Sequence, residues 1–230
     1  MIRPIWYAPW CETSRLSHSD MSSPRDTFRL FLTELGISDP GAVTRRFDEY
    51  LSLLEEFNRQ VNLVSRNTPL SDYWTKHFLD SLMILKCIDF SSAKVLDFGS
   101  GGGFPGLPIK LAGANCAMTL LDSIGKKAAI LRELVQKLEI PDCDVACSRL
   151  EDFKPSGGKG FSVILCRAVR MEERYCPHLA RLLAPGGKVI FYKSATHEDI
   201  DAYATETLLE EETPWGKRLI LSISREGLTR

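Results

Sequence analysis

Val95-Leu96-Asp97-Phe98-Gly99-Ser100-Gly101-Gly102-Gly103-Phe104-Pro105-Gly106 decides the fold of this chain. A short apolar run ends on an acidic residue, and glycines then fall at every second position before a helix can begin. Such a stretch reads as a buried strand running into a loop that a ligand approaches closely. Glycine supplies the positive φ angles and the missing side chain that such an approach needs. Gly101, Gly103 and Gly106 satisfy the dinucleotide pattern G-x-G-x-x-G, which on its own is weak. A second register, Asp97-x-Gly99-x-Gly101-x-Gly103, points elsewhere. A carboxylate at the strand's end repels a pyrophosphate, whereas it can hold the loop or a cationic ligand. Pro105, expected in the first helical turn, removes one of the N–H groups that bind phosphate there.

A nucleotide-like ligand with a sulfonium and no phosphate suits this loop, and S-adenosylmethionine is that ligand. Leu120-Leu121-Asp122-Ser123 ends the next apolar run with a second carboxylate. Asp122 is either a ribose-binding acid, a device nicotinamide enzymes share, or a solvent-exposed strand-end residue. Ser148-Arg149-Leu150-Glu151-Asp152-Phe153 follows the third run and is either an adenine-facing turn or the acidic start of a helix. The fourth run ends in Leu165-Cys166-Arg167-Ala168-Val169-Arg170, where methyltransferases place reacting or substrate-orienting groups. No Asn-Pro-Pro-Tyr or Asp-Pro-Pro-Tyr tetrapeptide of exocyclic-amine enzymes stands there. Cys166 raises a pyrimidine-carbon nucleophile, but only Arg167 is near to lower its pKa.

Working outward, five short β-rich runs alternate with helices: Lys94–Phe98, Ala117–Leu121, Asp142–Cys147, Ser162–Cys166 and Lys188–Tyr192. Helices are expected over Leu107–Ala112, Lys126–Leu138, Glu172–Leu183 and His197–Leu208. Leu208–Glu212 and Arg218–Ser224 read as a closing pair of strands around a turn. Alternation of this kind gives a mostly parallel sheet covered on both faces, with ligands beyond the strands' carboxyl ends. The fold class is therefore α/β: a Rossmann-like seven-stranded sheet with a terminal antiparallel pair, as in class I S-adenosylmethionine-dependent methyltransferases, plus an N-terminal helical extension. Three stripes at helical spacing carry that extension: Phe28, Phe31, Leu32 and Leu35 stopping at Gly36; Phe47, Tyr50, Leu51, Leu54 and Phe57 after Pro40; and Trp74, Phe78, Leu82 and Leu85. Residues 1–24 form an irregular arm, 25–90 a helical subdomain and 91–230 the methyltransferase domain.

The 230 residues suffice for one substantial core, and 44% hydrophobic with 26% charged residues is ordinary for a globular chain. No apolar run approaches a membrane span, and the first twenty residues lack a signal peptide's apolar centre. Seven cysteines include no C-x-x-C pair, which argues against zinc and for reduced thiols in the cytoplasm. A net charge of -1 does not advertise nucleic acid, so an RNA partner requires basic residues gathered on one face.

With these residues in place, the chain closely resembles the bacterial small-subunit ribosomal RNA guanine-N7 methyltransferases, also called glucose-inhibited division protein B. Phe57-Asn58-x-x-Val61-Asn62-Leu63-Val64-Ser65 and Trp74-x-Lys76-His77-Phe78-Leu79-Asp80-Ser81-Leu82 resemble its N-terminal signatures. Gly99 through Pro108, Leu120 to Ser123, Arg167-Ala168, Ala184-Pro185-Gly186-Gly187 and Arg218-Leu219-Ile220-Leu221 follow in the family's order, over roughly Arg45 to Arg225. The resemblance implies that Gly99 and Phe104 bind S-adenosylmethionine from the first loop, Leu150 and Glu151 at the adenine end, and Arg167 from the fourth strand; Gly101 is a further cofactor-binding candidate in the same loop. It implies methyl transfer to N7 of a guanine in 16S rRNA, guanine 527 in the 530 loop, by a cytoplasmic monomer whose partner is that RNA or the small ribosomal subunit. Asp122 is added from the fold. Substrate-side candidates are Lys76, Arg149, Lys193 and Arg218, with Arg45, Arg46, Arg59, Arg66, His77 and Arg170 as further basic residues. No catalytic nucleophile or base and no metal ligand is expected. Cys166 stands where the family usually has serine, and Ser194 where it usually has glycine. Alternatives are a paralogue of the same fold acting on another substrate, a dinucleotide-binding oxidoreductase, and a non-catalytic cofactor-binding module.

Overall fold

The computed structural model describes residues 23–155 and 160–229. The irregular arm expected over 1–24 falls outside them, apart from Ser23 and Pro24, which begin the first helix. The apolar runs form β1 (Lys94–Phe98), β2 (Ala117–Asp122), β3 (Cys143–Cys147), β4 (Phe161–Arg167), β5 (Leu183–Lys193), β6 (Glu206–Thr213) and β7 (Gly216–Ser224). They join in one seven-stranded sheet of order β3-β2-β1-β4-β5-β7-β6. β1 to β5 pair in parallel, while β7 inserts antiparallel between β5 and β6. Strand order reverses between β1 and β4, so their carboxyl ends open the crevice where ligands of such sheets bind.

Alternation along each strand assigns the two faces. Val95, Leu120, Val163, Leu165, Ile190 and Ile220 pack into one core with α5 (Gly106–Leu111), α6 (Gly125–Lys137) and the N-terminal helices. Leu96, Leu121, Ile164, Cys166, Phe191 and Leu221 face the other core, covered by α7 (Cys176–Leu182). The N-terminal helices are α1 (Pro24–Glu34) and α2 (Pro40–Asn58), followed by a continuous helical segment. That segment runs through α3 (Leu70–Asp72), a π-helical stretch Tyr73–Leu79, α4 (Asp80–Leu82) and a 3₁₀ turn Met83–Lys86. Ser23 and Asp26 close a capping box at the start of α1, and the Asp39 side chain caps α2 just before Pro40. Phe28, Phe47, Trp74 and Phe78 interlock at ring-centre distances of 4.7 to 6.2 Å, which fixes these helices to one another.

Two helical expectations are corrected. His197–Leu208 holds only a 3₁₀ turn, Glu198–Ile200, before β6 takes over at Glu206. Ile200 is its one buried side chain up to residue 205, so a helix there has no apolar stripe to bury. The expected helix Glu172–Leu183 divides into a 3₁₀ turn, Glu173–Tyr175, and α7, with Leu183 already in β5. None of the described helices is long and apolar enough to cross a membrane.

Candidate functional site

Asp97 is the penultimate residue of β1 and is wholly buried. Its Oδ2 accepts the Gly106 N–H at 3.0 Å, so the protein's own carboxylate occupies the first N–H of α5. Pro105 is the cap residue one position before that helix, not a member of its first turn as expected. The outcome for phosphate is the same, since the N–H that would meet it is already taken. Asp97 Oδ1 is buried without a hydrogen-bond partner. Burial lifts the Asp97 carboxyl to about 7, against the opposing pull of the Gly106 N–H.

Between Asp97 and Gly106 the loop folds back on β2. The N–H groups of Gly99 and Ser100 both donate to Leu121 O, at 2.8 and 3.1 Å. Asp122, at the tip of β2, accepts Gly101 N–H on Oδ2 at 3.0 Å and Ile124 N–H on Oδ1 at 2.9 Å. It is buried, which removes the reading of an exposed strand-end acid, and each oxygen keeps a lone pair for a hydroxyl. Gly99 has φ of 76°, and a Cβ there would meet Val169 Cγ2 at 2.6 Å. Ala168 reaches φ of 57° without being glycine. That uncommon turn sends Arg167 toward the N-terminal helices and Val169 back onto Gly99.

The N-terminal helices build the loop's other wall. Tyr50 donates its buried hydroxyl to Gly102 O at 2.6 Å. Asn58 accepts from Leu63 N and Val64 N through Oδ1 and donates to Val64 O through Nδ2, clamping the segment that lies against Gly101 and Gly102. Phe104 is buried among Tyr50, His77 and Phe78 and faces the Arg167 guanidinium at 5.5 Å. Arg167 donates from Nε to Asp80 Oδ2 at 2.9 Å and from Nη2 to Lys76 O at 2.7 Å. The other oxygen of buried Asp80 accepts Arg218 Nε at 2.8 Å. One carboxylate thus joins β4, β7 and the helical segment.

A cavity of about 270 Å³ opens beside this junction, lined by His77, Arg167, Tyr192, Lys193, Ser194 and Arg218 among others. Of the four substrate-side candidates, Lys193 and Arg218 line it, while Lys76 and Arg149 do not. Lys76 contributes its carbonyl to Arg167 and pairs its exposed ammonium with Asp72. Arg149 is exposed beyond β3. Lys193 is paired with Asp199, whose carboxylate also takes the Met171 N–H and so steadies the exit from β4. Arg46 docks α2 by donating to Leu138 O, and Arg59 pairs with Glu55. Arg45, Arg66 and Arg170 are exposed.

On the far side of β1, residues 148–153 form a turn, with Leu150 and Phe153 buried in the second core, so no helix starts there. Glu151 pairs with Arg174, while Tyr175 meets Phe98 edge-on at 5.3 Å. Ile124 is half-exposed beside Asp122, an apolar side chain that the sequence reading passed over. Cys166 is buried and its burial pushes the thiol well up, which excludes a nucleophile. No group of His, Cys, Asp and Glu among the described residues can hold a metal. Two buried acids at the strand ends, positive-φ glycines and an occupied helix N-terminus fit a cationic ligand that carries a ribose and no phosphate.

Residues 43–214 match the family model described as GidB, rRNA small subunit methyltransferase G. The chain belongs to the rRNA small subunit methyltransferase G family. Ribosomal RNA small subunit methyltransferase G of Chlorobium phaeobacteroides is 37% identical over 145 residues, covering 63% of this chain and 64% of that protein. Its namesake from Syntrophus aciditrophicus is 31% identical over 188 residues, covering 79% and 78%. Among solved structures, a Bacillus cereus O-methyltransferase in complex with SAH superposes with a TM-score of 0.54 at 15% identity, over 76% of this chain and 90% of that one. The pyocyanin biosynthetic protein PhzM gives 0.54 at 16%, over 74% and 61%. These two likenesses concern the fold, which is that of class I methyltransferases. The span matched by the methyltransferase G family model includes Tyr50, Asn58, Asp80 and Arg167.

Proposed function

We propose that this chain transfers a methyl group from S-adenosylmethionine to N7 of a guanine in 16S rRNA, which the family resemblance puts at guanine 527 in the 530 loop. The observation that carries the cofactor half is Asp97 on the Gly106 N–H: the phosphate site of a dinucleotide enzyme is filled by a carboxylate. A dinucleotide-binding oxidoreductase is correspondingly disfavoured. The cofactor supplies a methyl group on a sulfonium, electrophilic enough to need no metal or acid.

The chain's own residues bind and orient. Gly99, Gly101 and Phe104 form the floor, Asp122 accepts the ribose hydroxyls, and Ile124 offers its apolar side chain to the adenine. Leu150 has its side chain in the core, so its backbone meets the adenine edge beside Glu151. Arg167 closes the methyl end. Guanine N7 has an in-plane lone pair and no proton, so no side chain has to remove one. The work left to the protein is alignment and exclusion of water, and no catalytic base is assigned. The substrate approaches from the cavity between β4, β5 and β7, where Lys193 and Arg218 stand. We take residues 25–90 as a helical subdomain and 91–230 as the methyltransferase domain, acting as a cytoplasmic monomer on ribosomal RNA or the small subunit. Mass mapping of small-subunit RNA from a strain lacking the gene tests the assignment. Loss of one 7-methylguanosine is expected, and persistence of every 7-methylguanosine would refute it.

A further inference from the structure

His77 lines the cavity beside Arg167, and its ring is held from three sides. Tyr73 and Phe104 stand at ring-centre distances of 5.1 and 5.2 Å, and Nδ1 lies 3.3 Å from Arg167 Nη2. A guanidinium only donates, so Nδ1 accepts and the ring proton sits on Nε2. Burial, then the Arg167 charge, push the ring's pKa down to about 3, so it stays neutral in use. Nε2 has no hydrogen-bond partner among the described residues, yet it is not a buried orphan as Asp97 Oδ1 and Trp215 Nε1 are. The neighbouring cations are engaged: Arg167 and Arg218 share Asp80, and Lys193 holds Asp199.

We infer that the cavity receives the target guanine with its N7 edge foremost and that the His77 Nε2–H donates to O6. This rests on the guanine-N7 reading above. O6 and N7 are neighbouring acceptors on one edge of guanine. Once the base leaves water, O6 needs a donor, and an unmade bond there weakens binding. Adenine carries an amino donor in that place, so a fixed N–H rejects it. Methylation leaves a positive charge on the purine, which a neutral imidazole meets without the repulsion a second cation would bring. About 270 Å³ is at the small end for ligand pockets, room for a planar base more than for a whole nucleotide. The shared Phe104 and Arg167 wall sets that base against the glycine loop.

The test compares small-subunit RNA carrying guanine at the mapped target with RNA carrying 2-aminopurine there, which keeps N7 and lacks O6. kcat/KM is measured for the full chain, His77→Ala and His77→Gln. The unaltered enzyme should lose about 10- to 100-fold on 2-aminopurine. His77→Ala should lose a similar factor on guanine and little more on 2-aminopurine, the non-additivity expected of two groups in contact. His77→Gln, which keeps an N–H donor, should recover most of the guanine rate. Equal losses on both RNAs for both variants, or no loss on guanine, would overturn the inference while leaving N7 methylation intact. Absence of any transfer to guanine by the unaltered enzyme would instead overturn the reading beneath it.

Discussion

Cofactor affinity is expected to depend on pH through Asp97, in a window where few side chains titrate. In the free protein burial holds its carboxyl at about 7, with one oxygen on the Gly106 N–H and the other unpaired. A positively charged cofactor favours the ionised form, so binding at low pH first has to strip a proton. The apparent Kd then scales as one plus the ratio of protonated to ionised Asp97. That factor is about 30 at pH 5.5 and about 2 at pH 7, so affinity rises about 15-fold, or about 1.6 kcal/mol, across the window. Stopping at pH 7 avoids the titration of the cofactor's own amino group near ~8. Isothermal titration calorimetry with S-adenosylmethionine from pH 5.5 to 7 reads the effect directly. Asp97→Asn should flatten the slope. A wild-type Kd constant within twofold, or an undiminished slope in Asp97→Asn, would refute the reasoning. The linked stability has a definite sign: the folded carboxyl's pKa is raised above its unfolded value. Its contribution is full below the unfolded pKa near ~3.9 and is lost as pH rises through about 7.

Three further outcomes follow from the same geometry. Gly99→Ala puts a Cβ 2.6 Å from Val169 Cγ2 at a φ of 76°, so cofactor affinity should drop at least about tenfold while circular dichroism still reports a folded chain; an unchanged Kd would contradict the close approach. Tyr50→Phe removes the buried hydroxyl that reaches Gly102 O, at a cost of about 1–3 kcal/mol and a fall in Tm of roughly 2–10 °C by thermal melt. Arg167→Lys keeps the charge but loses the fork that holds Asp80, Lys76 O and His77 together, so kcat in a methyl-transfer assay should fall about tenfold or more.

The sheet was legible because local patterns encode it. Alternating apolar runs, interrupted by helices at 3.6-residue spacing, place five parallel strands and a closing pair within a residue or two in most cases. The loop's geometry was legible in Asp97, the glycines and Asp122 because these residues cluster where strands end, and the structure brings Asp97 onto Gly106 and Asp122 onto Gly101. The junction on Asp80 was not. Its partners stand 87 and 138 residues away along the chain, and nothing local marks a carboxylate that will join Arg167 to Arg218. Tyr50 reaches Gly102 across 52 residues in the same way. The segment 197–208 is not a helix because Ile200 is its one buried side chain up to residue 205, Asp199 is engaged by Lys193, and β7 recruits Thr207 and Leu209 as strand partners.

The central claim is transfer to N7 of guanine in small-subunit RNA. Purified chain is incubated with methyl-labelled S-adenosylmethionine and 16S rRNA or small subunits from cells lacking the gene, and the RNA is digested and resolved as nucleosides by mass spectrometry. Label is expected in 7-methylguanosine and in no other nucleoside. Label on another atom or base, or none although calorimetry shows the cofactor bound, would contradict it.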